Sequence, residues 1–155
     1  MHNAVRNAVS RLLDTGLADE DSIQGCTSAE IERIESELGV ELPPCYKDFL
    51  LAMGRSAGEF MVGTDYSIDK LPKFRTWAEH CMASNKVTFR LPQAAVVFAS
   101  HQGYSFLYFD ADGGLDPPVL MYTEAQPGLT QIATSFSEWL KMAVEDDIEA
   151  CGGKA

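Results

Sequence analysis

Apolar residues recur at three- and four-residue spacing in the first third of this chain, alternate or cluster in short runs through its middle, and return to helical spacing near its end. In "AVRNAVSRLL", residues 4–13, Val5, Val9, Leu12 and Leu13 fall on one stripe, which predicts an amphipathic helix ended near Gly16. "TSAEIERIESELG" predicts the clearest helix. Thr27 and Glu30 have capping-box spacing, Ile31, Ile34 and Leu38 form the inward stripe, and Gly39 stands where a left-handed C-cap belongs. In "VELPPCYKDFLLAMG", Leu42 and Pro43 each precede a proline and are held extended. Pro44 suits a first helical turn, where its missing N–H leaves no bond unmade. Tyr46, Phe49, Leu50 and Met53 then continue the helical period to Gly54.

The pattern changes after Gly54. "EFMVG" predicts a short strand, "TDYSIDKLPKF" a loop, and "RTWAEHCMASN" a short helix carrying Trp77, Cys81 and Met82. Three β-rich runs follow, "AAVVFAS", "YSFLYFD" and "PVLMYTE". "HQG" and "ADGGLDP" separate them, with the glycine and aspartate of hairpin turns. Tight links between successive strands predict an antiparallel meander. Ser135, with Glu138 three residues on, caps a last helix whose Phe136, Trp139, Leu140 and Ala143 dock on the sheet. The acidic exit, residues 144–155, is expected to fray. This order predicts an α+β fold: a mostly antiparallel sheet with flanking helices at the N- and C-terminal ends. At 155 residues, one domain spanning 1–155 is expected, long enough to bury a core without staples.

Charge adds what periodicity does not show. The formal net charge is −11, distributed as −8 over residues 1–69, +4 over 70–90 and −7 over the remainder. Such a chain repels nucleic acid and anionic membranes and favours encounter with a basic partner. No apolar run approaches the ~20 residues of a membrane span, and the first residues do not read as a signal peptide. Cys26, Cys45, Cys81 and Cys151 are widely spaced, with neither a C-x-x-C pair nor zinc-like histidine spacing. Reduced thiols and a cytoplasmic setting are expected.

Four patterns suggest chemistry. "GRSAG", residues 54–58, matches the G-x-S-x-G of a nucleophile elbow, with Ser56 as nucleophile. That elbow needs a strand before the serine and a helix after it, and here the predicted order is reversed. "DADGGLD" suggests a calcium loop, but from Asp110 the sixth position is Leu115 and the twelfth Met121, where glycine and glutamate belong. His2, His80 and His101 share no spacing that favours a metal. Lys70, Lys73, Arg75, Lys86 and Arg90, interleaved with Phe74, Trp77 and Phe89, suggest a single-strand nucleic-acid surface. The net acidity points instead to internal pairing of these bases. No catalytic, cofactor-binding or metal residue is expected, and the enzyme reading, a small serine hydrolase using Ser56, ranks last.

"EIERIESELGVELPPCYKDFLLAMG" resembles the signature of the SUKH superfamily, which includes fungal cell-wall-synthesis regulators and bacterial immunity proteins. The matching residues are Ile31, Glu35, Leu38, Gly39, Leu42, Pro43, Tyr46, Phe49, Leu50 and Gly54. "VVFASHQGYSFLYFD", "PVLMYTE" and "SFSEWL" resemble the later strands and closing helix of that family, so the resemblance spans about residues 23–143 and leaves the helix over 4–13 outside it. Met53 stands where the family often has Asn, and His101, Gly103, Tyr104 and Ser105 replace its usual Asp and Gly-Gly-Asp turn. The resemblance implies a non-enzymatic binding protein with no cofactor. It would neutralise a cognate, basic protein toxin by direct contact, nucleases being one such class. The alternative is a regulatory or scaffold domain of the same fold. Loop acids and aromatics are the candidate contacts: Glu59, Asp65, Tyr66, Asp69, His101, Tyr104, Asp112 and Asp116.

Overall fold

The computed structural model of the chain describes residues 1–124, 126 and 128–151. Among these residues the elements run α1 (Asn3–Asp14), β1 (Ile23–Gln24), α2 (Ser28–Leu38), α3 (Pro44–Met53), β2 (Ser56–Ala57), β3 (Thr64–Asp65), α4 (Leu71–Ser84), β4 (Ala95–His101), β5 (Ser105–Asp110), β6 (Val119–Thr123), β7 (Leu129–Ala133) and α5 (Phe136–Cys151). Strands β3 to β7 form one antiparallel sheet in chain order, and β1 pairs with β2 in a separate two-stranded ribbon. The fold is α+β, as the pattern predicts.

Local chemistry sets most boundaries. Thr27 and Glu30 close the capping box of α2, and Gly39 ends that helix at φ +70°. Pro44 opens α3 in its first turn. Gly25 is required by a close crossing: a Cβ there would stand 1.7 Å from the Leu51 carbonyl oxygen, while the next residue, Cys26, donates its N–H to Leu50 O at 2.9 Å. The first helix buries Val5, Ala8 and Leu12, with Val9 at its margin.

Four expectations need correction. "EFMVG" is not a strand. Gly58 (φ +60°), Met61 (φ +54°) and Gly63 (φ +89°) curl this segment into successive turns, and Asp147 of α5 holds the Met61 N–H at 2.7 Å. The strands lie on either side of it, as β2 and β3. Helix α4 begins four residues earlier than expected, because Pro72 is accommodated in its first turn, and its buried stripe is Leu71, Phe74, Ala78 and Met82. Trp77 lies off that stripe, 40% exposed. "LTQIA" forms the unpredicted strand β7, paired with β6. Finally, the acidic exit stays helical to Cys151: Val144 is buried, Ile148 packs against the core, and Glu145 holds Arg11 of α1 through two bonds of 2.8 and 2.9 Å. Residues 152–155 lie outside the described residues.

The sheet is covered on both faces, and β4 is buried from Ala95 to Ser100. On one face Tyr46 and Phe49 of α3 and Phe136 and Trp139 of α5 close around Phe98 and Phe109. Ring centroids are 5.0 Å apart for Tyr46–Phe109, 5.3 Å for Tyr46–Phe136 and 4.9 Å for Phe98–Trp139. These are tilted and edge-to-face contacts that aromatic quadrupoles favour. Helix α4 packs along β4. Arg75 of α4 donates to the carbonyls of Leu91, Pro92, Gln93 and Ala95 at 2.8–3.3 Å, which fixes the path of the chain into β4. Helix α1 lies on α5, outside the aromatic layer.

Tyr46 Oη is enclosed in this layer with no hydrogen-bond partner among the described residues. Burial pushes its phenol pKa upward, with a smaller contribution from Cys26. Replacing an unsatisfied buried hydroxyl with hydrogen removes a desolvation cost at little loss of packing. The Tyr46→Phe variant should therefore be as stable as the parent or more so, by up to about 1 kcal/mol in urea denaturation. A loss of stability would show that this hydroxyl makes a bond the fold needs.

Candidate functional site

The turn between β4 and β5 organises the surface that carries His101 and Tyr104. Gln102 (φ +51°) and Gly103 (φ +80°) are both left-handed, and Tyr104 N–H closes the hairpin onto His101 O at 3.2 Å. Two central residues with positive φ match the right-handed twist of the flanking strands. The turn sets His101 and Tyr104 side by side, their rings edge-to-face at 5.3 Å. Neighbouring strands brace the pair. His101 Nδ1 and Thr64 Oγ1 of β3 are hydrogen-bonded at 2.7 Å, and Tyr104 O accepts the Glu124 N–H at 2.7 Å beyond the end of β6. Ser105 and Thr123 hydroxyls add a cross-strand bond of 3.0 Å.

Around this braced end, large side chains reach solvent. Tyr104 and Trp77 are each 40% exposed, and Val62, just before the Gly63 that lies beside the His101 ring, is 70% exposed. Trp77, His80, Gly103 and Glu124 share a shallow depression of about 500 Å³ between α4 and the hairpin. Asp65 sits at the margin in β3, paired with Lys70 at 2.8 Å. The arrangement offers aromatic surface, hydrogen-bonding groups and rigid backbone, features suited to a protein contact.

Of the eight candidate contacts, the structure thus sets His101 and Tyr104 against each other, with Asp65 one residue beyond the Thr64 that bonds His101. Asp112 and Asp116 lie in the β5–β6 connection, at the other end of those strands. Glu59 is exposed in the turn after Gly58, where its N–H bonds Leu17 O at 2.8 Å. Asp69 pairs with Arg55 at 3.3 Å, and Arg55 also bonds Glu30. Tyr66 is a correction: only 7% exposed, it packs against Phe49 and Phe60, and burial pushes its pKa up to about 12. Asp116 is another. Its carboxylate accepts the Ser137 N–H at 2.9 Å and the Ser137 hydroxyl, and lies 3.4 Å from Cys45 Sγ, so it caps the start of α5. Trp77, Val62 and Glu124 were not anticipated. Starting α4 at Leu71 would have placed Trp77 off the buried stripe.

The patterns that suggested chemistry have structural explanations. Ser56 lies in the two-residue β2, and its hydroxyl donates to Ser22 O at 2.8 Å, tying it to the backbone before β1. Cys45 is pushed up to about 12 by burial and then by Asp116, far from the thiolate form a nucleophile needs. Among the described residues no three His, Cys, Asp or Glu side chains are grouped to hold a metal ion, and no helix is long and apolar enough to cross a membrane. The expected internal pairing of the basic window holds only in part. Lys70 pairs with Asp65 and Arg75 with Glu79, whereas Lys73, Lys86 and Arg90 make no ion pair among the described residues.

The model of the SMI1 / KNR4 family (SUKH-1) matches residues 25–142, from Gly25, at the crossing onto α3, to Met142 in α5. Helix α1 lies outside it. No curated protein matches the chain.

Asp116 yields a pH-dependent prediction. Burial works to raise its pKa, but the bonds from Ser137 and Cys45 outweigh it and hold the carboxyl below its ordinary value of 3.8. Its stabilisation is therefore complete above the unfolded-state pKa and fades as pH falls through the lower folded-state value. Asp116→Ala should lower stability by about 1–2 kcal/mol at pH 7, the range for a helix cap. In urea titrations the difference from the parent should shrink toward pH 2.

Proposed function

The chain belongs to the SMI1 / KNR4 family (SUKH-1), and from that membership we propose that it is a non-enzymatic binding protein that neutralises a cognate basic toxin by direct contact. The observation that carries this reading is the braced hairpin end. His101 and Tyr104 are held there by backbone geometry and flanking strands, with exposed Val62 next to the Gly63 that lies by the His101 ring and exposed Trp77 across the depression that α4 shares with Gly103, in a chain of net charge −11. Rigid aromatic side chains anchor protein interfaces because they bury large area with little loss of rotamer freedom. The surrounding acidity speeds encounter with a basic partner and disfavours acidic ones. A nuclease fits this description, since a surface built to bind phosphates is basic.

Mechanistically, the chain would occlude the toxin's active cleft, with Tyr104 and Trp77 as apolar anchors and Asp65 and Glu124 facing basic groups. No reaction is assigned to it. A cytoplasmic setting for this encounter agrees with the free thiols of Cys26, Cys45, Cys81 and Cys151.

The test is co-purification of the tagged full chain from its own host, followed by an activity assay of the captured protein. The expected capture is a basic toxin whose activity falls on stoichiometric addition of this chain. A Tyr104→Ala/Trp77→Ala variant should weaken the complex at least about thirtyfold, as expected for hot-spot residues, while its far-UV circular dichroism and cooperative unfolding show that the fold is kept. Capture of signalling or cytoskeletal proteins alone would assign the domain a regulatory role and overturn the toxin reading.

A further inference from the structure

At the end of the sheet away from the hairpin, a groove of about 740 Å³ separates the α2–α3 link from the β5–β6 connection. Leu38, Val40, Leu42, Pro44, Ala94 and Leu115 supply its apolar lining. Its charged lining residues are Glu41 and Asp112, and no lysine, arginine or histidine is among the described residues that line it.

Both walls are held firmly. On one side Glu35 accepts the Leu42 N–H at 2.7 Å while pairing with Lys47 at 3.3 Å, and Gly39 turns the chain at φ +70°. Pro43 and Pro44 have no N–H to leave unpaired. On the other side Asp110 accepts the Asp112 N–H at 2.9 Å, the Cys45 thiol donates to Leu115 O at 3.3 Å, and Asp116 is bound to α5. The Leu115 backbone is thus fixed while its side chain is 76% exposed on the lip. Core packing gives no reason for a leucine there. Glu41 is only loosely held: its side chain is 89% exposed, and its one ion pair is a 4.0 Å contact with Lys47, which Glu35 holds more closely at 3.3 Å.

We propose that this groove is a second docking surface, which receives a basic segment of a protein partner: a bulky apolar side chain packs against Leu115 and Val40, and flanking lysine or arginine side chains meet Glu41 and Asp112. The choice of occupant follows from charge. Asp112, with no ion pair among the described residues, and Glu41, held only at 4.0 Å by a Lys47 that Glu35 holds more closely, flank an apolar cleft with no base in its lining, so a basic segment gains from both, whereas an acidic one is repelled at each end. Fixed walls reduce the ordering cost of binding. The inference rests on the reading of the chain as a binder of basic proteins, and names a surface that the hairpin end does not include.

The probe is a twelve-residue peptide, acetylated and amidated, in which lysine and arginine alternate with leucine. Its control has glutamate in place of every base. Both are titrated into the isotope-labelled full chain and followed by amide chemical shifts. The basic peptide should move the amide resonances of residues 38–42 and 111–115, and the control should not. Leu115→Ser, and separately Glu41→Lys with Asp112→Lys, should weaken binding at least tenfold without moving the unfolding midpoint. Shifts spread over the acidic surface or centred on residues 62–65 and 101–104 would overturn the proposal, as would unchanged affinity in Leu115→Ser. A captured toxin that Leu115→Ser neutralises as well as the parent does would overturn the groove and leave the neutralising role standing. Peptide binding confined to the groove, with no toxin captured, would uphold the groove and overturn that role.

Discussion

The double burial of β4 is the constraint on which the rest of the structure depends. A strand apolar on both faces needs a layer on each side, and the chain supplies them from segments distant in sequence. Tyr46, Phe49, Phe136 and Trp139 close one face over Phe98 and Phe109, and α4 closes the other. Because α3 precedes the sheet and α5 follows it, neither helix completes its layer alone. Phe136 touches Tyr46 and Phe98 together, so the last helix seals a core that the first half of the chain begins. Helix α1 then covers α5, and the Arg11–Glu145 pair marks that outer contact without contributing much, since both groups are solvent-exposed.

What could be read from sequence follows from how local each cause is. The capping box at Thr27, the stop at Gly39, the proline entry to α3 and the Ser135 cap of α5 involve residues within a few positions of one another, and all are legible. Strands β4, β5 and β6 stand out because their β-rich runs are separated by turn residues. Strand β7 does not. "LTQIA" has weak alternation and becomes a strand because β6 offers it an edge, which is a tertiary cause. "EFMVG" fails in the opposite sense: apolar composition suggests a strand, but a non-glycine left-handed residue at Met61 is stabilised by Asp147, 86 positions away. The persistence of α5 to Cys151 likewise depends on packing that no local pattern records.

The candidate surface was legible only in part, for a related reason. His101 and Tyr104 flank a turn, and a turn flanked by strands is a safe guess for exposure. Tyr66 and Asp116 also lie in segments that read as loops, yet one fills a gap between Phe49 and Phe60 and the other caps a helix 21 residues later. Loop residues in a small domain often complete the core or end elements, and sequence alone cannot separate those duties from display. Trp77 is the converse: hydrophobicity suggests burial, and only the correct start of α4 places it outside.

The hairpin turn has one more consequence. Its shape depends on the backbone of Gln102 and Gly103 and on the bonds from Tyr104 N–H and O, none of which requires a particular side chain at position 104. The core, by contrast, depends on rings such as Phe98 and Phe136, whose shapes interlock. Substitutions can therefore accumulate at the tip, one side chain at a time, while the scaffold beneath stays constant. A domain divided in this way can acquire new recognition without first having to regain its stability.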